Sequence, residues 1–160
     1  MAVGGQRAPS RDIKEDPYAS FRFNVEIDGL KVSGFSEASG LAIETAVETF
    51  REGGENTHEI ELAGPSKFAS KLTLKRGLAD ADALWSWYQD VMSGLIKRKN
   101  VTITLLNHAG EEKWRWVISK ACPVKWSGPD FRAGTADVAF ESIELVHRGL
   151  EPGAKSGLKR

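Results

Sequence analysis

The stretch that decides the fold is "FRFNVEIDGLKVSG", residues 21–34. Apolar and polar side chains alternate through its first eight residues, and the apolar members are Phe21, Phe23, Val25 and Ile27. A period of two predicts a β-strand with one buried face, because successive side chains point to opposite sides of a sheet. The Asp28-Gly29 dipeptide favours a tight hairpin turn, so the chain is predicted to return as a second strand.

The same period recurs along most of the chain. The segments that show it are "LAIETAVETF" (41–50), "SKLTLKR" (70–76), "VTITLLN" (101–107), "KWRWVIS" (113–119), "CPVKWSGP" (122–129) and "ADVAFESIELVHRG" (136–149). In the last segment the apolar positions shift from Val138 and Phe140 to Ile143 and Leu145. This shift predicts a β-bulge near Glu141 and Ser142.

One segment, "ADADALWSWYQDVMSG" at 79–94, has helical spacing instead. Its predicted apolar face is formed by Leu84, Trp85, Tyr88, Val91, Met92 and Leu95. Asp80 or Asp82 would cap its start and Gly94 would mark its end, while Trp87 falls at the edge of the apolar face. The expected fold is mainly β with one α-helix: two packed antiparallel sheets, as a sandwich or barrel, closed by the helix.

Composition limits the function classes. The chain has 160 residues with 22 basic and 22 acidic side chains, so its formal net charge is zero. A general nucleic-acid binder needs a basic excess, and this balance argues against one. A single cysteine, Cys122, excludes an internal disulfide and a thiolate metal cage. No signal-peptide core or membrane-spanning run is visible, and we expect assembly in the cytoplasm without a direct membrane anchor.

The ends of the chain differ from its middle. Residues 1–16 and 151–160 carry few apolar side chains and are predicted to be tails on a single domain, residues 17–150. Within that domain, "FREGGENTHEIELAGPSK" at 50–67 is predicted to be a projecting hairpin arm with a glycine bend.

Residues in this arm could also suggest chemistry, but the pattern favours none. Glu52 and Glu55 flank the glycine pair and would repel a phosphate. His58 and Glu59 lie on opposite faces of a strand, which does not bring metal ligands together. We expect no catalytic site, no metal and no cofactor, and hence no enzyme. The five tryptophans leave open a carbohydrate- or nucleic-acid-binding β-domain.

Six strings, taken in order, resemble the inner tube proteins of contractile phage tails and of extracellular contractile injection systems. They are "DPYASFRFNVEIDGL" (16–30), "GFSEASGL" (34–41), "FREGGEN" (50–56), "LTLKRG" (72–77), "LWSWYQDVMSG" (84–94) and "PVKWSGPDF" (123–131). The resemblance covers about Asp16 to Leu150, and it implies a tail-tube fold shared with Hcp-like secretion tubes.

The resemblance implies a self-assembling structural subunit that forms stacked hexameric rings around a lumen for protein cargo or DNA. The implied partners are further copies of the chain, a sheath protein, baseplate or spike proteins and a tube terminator. The implied location is a virion tail or an injection particle released from the cell. A baseplate-proximal tube initiator that contacts the spike is an alternative, because such paralogues share these motifs.

If the chain builds a tube, the arm is the expected contact between subunits. The predicted interface residues are Arg51, Glu52, Gly53, Gly54, Glu55, Asn56, His58 and Trp87. The N-terminal tail is expected to contribute as well.

Overall fold

A computed structural model gives the fold, and it describes residues 22–50, 60–68, 71–78, 82–134 and 136–153. These residues form ten strands and one helix. The elements are β1 (Phe23–Ile27), β2 (Leu30–Val32), β3 (Phe35–Ser39), β4 (Glu44–Phe50), β5 (Ile60–Lys67), β6 (Leu72–Gly77), α1 (Ala83–Met92), β7 (Lys99–Leu106), β8 (Glu112–Ser127), β9 (Phe140–Val146) and β10 (Gly149–Pro152).

Eight of these strands form one folded antiparallel system. Its order is β2-β1-β7-β8-β9-β6-β3, with β10 on β8, while β4 and β5 form a separate two-stranded sheet. The long strand β8 pairs with β7 and β10 through its first part and with β9 through its last part. The larger system therefore folds into two layers that share β8, as the expected two-sheet fold requires.

β8 joins two segments that the sequence analysis treated as separate strands. Lys120 has a positive φ of 52°, and the pairing with β9 skips Val124, which is an extra residue in β8. A positive φ and an inserted residue both bend a strand without ending it. The bend lets one strand serve both layers.

The opening hairpin is confirmed. Asp28 and Gly29 both have positive φ, at 50° and 78°, which is the backbone of a type I′ turn. β1 pairs with β2 in regular register, with Val25 opposite Val32. The period of two also located the core: Val25, Leu72, Leu74, Val101 and Ile118 are all buried.

The predicted bulge at Glu141 and Ser142 is wrong. β9 pairs with β6 in unbroken register, and Glu141 lies opposite Arg76. Glu141 occupies an inward position, 3% exposed, where the alternation leads one to expect an apolar residue. The apolar pattern breaks there because a buried carboxylate replaces a hydrophobic side chain, and the strand itself stays regular.

Glu141 is stabilised at this position by a buried ion pair. The Arg76 guanidinium donates from Nε to Glu141 Oε1 at 2.9 Å, and its Nη2 contacts the same oxygen. The indole of Trp126 donates from Nε1 to Glu141 Oε2 at 3.1 Å. Both carboxylate oxygens are therefore satisfied, as a buried charge requires. Trp126 in turn packs edge-on against Trp85 of α1, with ring centroids 4.7 Å apart.

The helix α1 is confirmed, but its buried tryptophan is Trp87 and not Trp85 as predicted. Trp87 is 1% exposed and its Nε1 donates to the Lys97 carbonyl at 2.9 Å, whereas Trp85 is 36% exposed. The buried helix positions are Leu84 and Trp87, with Tyr88 and Val91 half-buried, which is the i, i+3, i+4, i+7 spacing of one face.

The helix termini differ in how well they are capped. Asp82 stands at the N-cap position without a side-chain hydrogen bond to the helix. At the other end, Gly94 has a φ of +86° and its N–H donates to the Val91 carbonyl, while the Leu95 N–H donates to the Asp90 carbonyl. This pair of bonds is a Schellman motif, so the predicted glycine stop is confirmed.

Candidate assembly surface

The β4–β5 hairpin is the most exposed part of the described chain. Every residue of β4 is exposed, and of the β5 residues whose burial is described only Gly64 is half-buried. The two strands pair from Glu44 opposite Lys67 to Phe50 opposite Ile60. The hairpin therefore stands apart from the two-layer core, in the region where the sequence analysis placed a projecting arm.

Both faces of this hairpin carry exposed apolar side chains. Phe50 and Leu62 share one face and are 56% and 52% exposed, while Val47 on the opposite face is 61% exposed. Large apolar side chains grouped on an exposed element are typical of an interaction site. The surface consisting of Val47, Phe50 and Leu62 is called the arm surface below.

Two local features constrain the backbone of the hairpin near Thr45 and Gly64. The register shifts between Thr45 and Val47, and the side-chain oxygens of Thr45 and Ser66 lie 2.8 Å apart in a hydrogen bond. A Cβ on Gly64 would lie 3.0 Å from the Ala46 carbonyl oxygen. Only glycine fits this close approach without a shift, so the bulge and the glycine together set the direction of the arm.

The predicted interface residues Arg51 to His58 lie outside the described residues. The remaining one, Trp87, is buried in the core with its indole N–H bonded, so its assignment to the subunit surface is wrong. Trp85 is the helix tryptophan with exposed area. The arm surface was not predicted from the sequence. Apolar side chains on both faces of these two strands were the feature of the sequence that could have indicated it.

Within the layer β8-β9-β6-β3, two strands have a side that no described strand pairs with. β3 is the last strand of the layer β8-β9-β6-β3, and the last part of β8, residues 122–127, pairs only with β9 among the described strands. Such edges present backbone N–H and C=O groups to a partner. They lie at opposite ends of one four-stranded layer, which suits contacts between unlike surfaces of neighbouring copies.

The outward side of this layer carries a small charged network. Glu144 contacts Lys71 through Oε2 and Lys125 through Oε1, each at 3.5 Å. All three side chains are partly exposed, so these pairs are screened and contribute little to stability. They do balance charge locally, which leaves this face polar.

Two groups have shifted pKa values. Burial of the His147 imidazole lowers its pKa below the ordinary value, and the ring packs against Phe68 with centroids 4.8 Å apart. The Gly149 backbone acts in the opposite direction and raises the pKa of His147. The pKa of Glu111 is lowered by hydrogen bonds from Lys113 and from Asn107.

A metal site and a membrane-spanning helix are both absent from the described part of the chain. These residues contain no group of three or more His, Cys, Asp or Glu side chains placed to hold a metal ion. Among the same residues, the helix is neither long nor apolar enough to cross a membrane.

Comparison with known proteins identifies the family. The sequence model of the T4-like virus tail tube protein gp19 matches residues 19–151. This chain belongs to that tail tube family. The match spans both layers, the hairpin and the helix, and it ends within β10. A search of curated protein sequences gave no match.

Solved structures of this kind also resemble the chain. A chain in the sheath-tube complex of an extracellular contractile injection system, PVC, in its extended state is 29% identical, with a TM-score of 0.78 over 88% of this chain and 94% of that one. A chain in the baseplate of the anti-feeding prophage is 28% identical, with a TM-score of 0.73 over 88% and 97%. Hcp1 from Flavobacterium johnsoniae shares only the fold, at 14% identity and a TM-score of 0.53 over 82% and 94%.

Proposed function

We propose that this tail tube protein is the repeating subunit of the inner tube of a contractile injection system. Copies would form hexameric rings that stack into a hollow conduit for cargo, inside a sheath and between a baseplate and a terminator. The particle would be assembled in the cytoplasm and then act outside the producing cell. The family match supports a tube, and the arm surface is the observation on this chain that supports self-assembly.

The arm surface supports assembly because it is hard to explain on an isolated subunit. Three large apolar side chains stay more than half exposed on a hairpin that contributes none of the core residues. Burying such a side chain contributes about 1.5–3 kcal/mol, which is available only if another molecule covers it. Because the formal net charge is zero, many copies can stack closely without long-range electrostatic repulsion.

Electron microscopy of the purified full chain tests the proposal. Rings or tubes support it, and a protein that stays monomeric at high concentration contradicts it. The protein composition of purified particles distinguishes the repeating subunit from the alternative role. A dominant protein band indicates the repeating subunit, and a trace band indicates a baseplate-proximal initiator.

Variants test the role of the arm itself. We expect deletion of residues 52–62, and the milder double change Phe50→Ser with Leu62→Ser, to leave a folded subunit that fails to form tubes. Each lost apolar contact would raise the concentration needed for assembly roughly tenfold or more. Leu30→Ser is the matched control, because Leu30 is 73% exposed but lies on β2, away from the arm. Full tubes from the deletion variant would refute a role for the arm.

A further inference from the structure

The arm is acidic, although the charge of the whole chain is balanced. Residues 44–67 contain six acidic and two basic side chains, whereas the chain as a whole contains 22 of each. Glu48 lies opposite Leu62 and Glu61 lies opposite Thr49, so each face of the hairpin presents an exposed carboxylate beside the arm surface. Among the described residues, neither carboxylate forms an ion pair. The arm therefore combines exposed apolar area with unpaired negative charge.

Three exposed cations from different parts of the chain come together at the bend of β8. Arg98 follows α1 and donates from Nη1 to the Lys120 carbonyl at 3.2 Å. Arg148 follows β9, and its backbone N–H donates to the Ser119 carbonyl at 3.0 Å. None of the ion pairs between described residues includes Arg98, Lys120 or Arg148. Their positive charge is therefore not matched by a direct acidic partner in this part of the chain.

Exposed apolar side chains border these cations. Leu95 and Ile96 lie two or three residues before Arg98 and are 50% and 63% exposed. The surface that consists of Leu95, Ile96, Arg98, Lys120 and Arg148 is called the basic surface below. It has the same combination as the arm, apolar area beside charge, but with the opposite sign.

The carboxylates near the basic surface compensate its charge only in part. Asp90 contacts Lys97, with Oδ2 and Nζ 3.6 Å apart, and so balances a cation that is not among the three. Asp28 Oδ1 accepts a hydrogen bond from the Asn100 N–H, and Asn100 Oδ1 accepts one from the Lys120 N–H. Asp28 is thus connected to the cations through Asn100 and does not pair with one of them directly.

A second exposed apolar region has a different charge pattern. Phe131 and Val138 are 84% and 67% exposed and line one cavity. Asp130 and Asp137 line the same cavity together with basic side chains, so its charge is mixed. Carboxylates beside this apolar area would repel an acidic partner, and the basic surface is the better match for the arm.

We propose that the arm of one copy docks on the basic surface of another copy. The carboxylates of the arm lie beside the cations, and the apolar side chains of the two surfaces pack together. The inference rests on the proposed self-assembly and names the surface that covers the arm. Within one chain, no hydrogen bond or ion pair of the described residues joins the two surfaces, so both are open to a neighbour. A contact between two unlike surfaces is also the kind that builds rings and stacks from identical copies.

Charge reversal on each surface tests the docking. Variant A carries Glu48→Lys with Glu61→Lys, and variant B carries Lys120→Glu with Arg148→Glu; all four side chains are exposed. Each variant alone places like charges opposite each other, which should raise the protein concentration for half-assembly at least roughly tenfold. An equal mixture should assemble near the wild-type concentration, because each arm of A meets a basic surface of B and each arm of B meets one of A. Failure of the mixture, or normal assembly of either variant alone, would refute the proposal.

A control and the salt dependence separate the charges from other effects. Lys31→Glu is the matched control and should assemble as the wild type does, because Lys31 is an exposed cation on β2 outside both surfaces. Assembly of the wild type should weaken as salt is raised, because exposed charges are screened over roughly 10 Å at 0.1 M. Glu48→Gln with Glu61→Gln should reduce this salt dependence, and an unchanged dependence would overturn the role of the two carboxylates.

Photo-crosslinking locates the contact. The full chain is prepared with p-benzoylphenylalanine in place of Phe50, which keeps an aromatic side chain in the arm surface. It is mixed with isotope-labelled wild-type chain and irradiated after assembly. We expect links between unlabelled and labelled chains in peptides that contain residues 95–98 or Lys120. Links within one chain, or to another part of the second copy, would overturn the proposal.

The two proposals fail in different ways. If the wild-type chain forms no rings or tubes, the proposed function itself is wrong. If the wild-type chain assembles but the mixture of variants A and B does not, the assembly stands and only the docking is wrong. Circular dichroism and melting of each variant should match the wild type, because the four substituted side chains lie on the surface.

Discussion

Replacing Glu141 tests the contribution of the buried ion pair to the stability of the core. Its carboxylate is buried, it pairs with the equally buried Arg76, and it accepts a hydrogen bond from Trp126. Replacing one partner of a buried ion pair costs about 3–5 kcal/mol, because the other charge keeps its desolvation without its partner. The indole N–H loses its acceptor as well, which costs about 1–3 kcal/mol. We therefore expect Glu141→Ala to lower the free energy of unfolding by about 4 kcal/mol or more.

The double variant separates the cost of the unmatched charge from the loss of packing. With Arg76→Met and Glu141→Leu, no charge is left buried at the pair, and apolar replacement of an ion pair is often neutral or stabilising by about 1–4 kcal/mol. The acceptor of the Trp126 indole is still missing, so the double variant should lose about 1–3 kcal/mol. It should therefore be more stable than either single variant.

Urea unfolding followed by tryptophan fluorescence measures these values. The variants are made in the Phe50→Ser, Leu62→Ser background, because assembly would add its own free energy to the apparent stability. A loss of about 4 kcal/mol corresponds to a fall in melting temperature of about 8–16 °C for a domain of this size. A loss under about 1.5 kcal/mol for Glu141→Ala, or a double variant no more stable than the single ones, would refute the reasoning.

Two further predictions concern particular aromatic and titrating groups. Trp87→Phe should destabilise the fold by about 1–3 kcal/mol, because the Lys97 carbonyl loses its hydrogen-bond donor. Trp85→Phe should cost under about 1 kcal/mol, because Trp85 is partly exposed. Equal losses of stability in urea unfolding would contradict the assignment of Trp87 as the buried tryptophan of the helix. The lowered pKa of His147 means that the unfolded chain binds the proton more readily, so stability should fall as the pH decreases through the ordinary value of 6.5. His147→Gln should flatten the dependence of stability on pH between pH 7 and pH 5, as measured by calorimetry. An unchanged slope would rule out this histidine as the cause.

Alternation found most of the strands because most strands of the larger system bury one face. It succeeded in β6 and β7, where Leu72, Leu74 and Val101 face the core. It failed in β9, where Glu141 occupies a core position and imitates a shift of register. A local pattern of apolar residues does not show the ion-pair partner that stabilises a buried carboxylate, because Arg76 is 65 residues away in sequence.

The helix and the surface show a second limit. Helical spacing fits a face through Leu84 with either Trp85 or Trp87, and only the position of Trp126 and of the Lys97 carbonyl decides between them. The exposed side chains Val47, Phe50 and Leu62 were not predicted from the sequence as a surface. Exposure of an apolar side chain depends on whether another strand covers it, and this is a property of the whole fold.

The course of β8 through both layers has a mechanical consequence. Force applied to one layer passes to the other along the covalent backbone of β8. Because antiparallel ladders flank β8 on each side of its bend, separating the layers requires many hydrogen bonds to shear together. The subunit should therefore be stiff up to a threshold force and then yield as one unit.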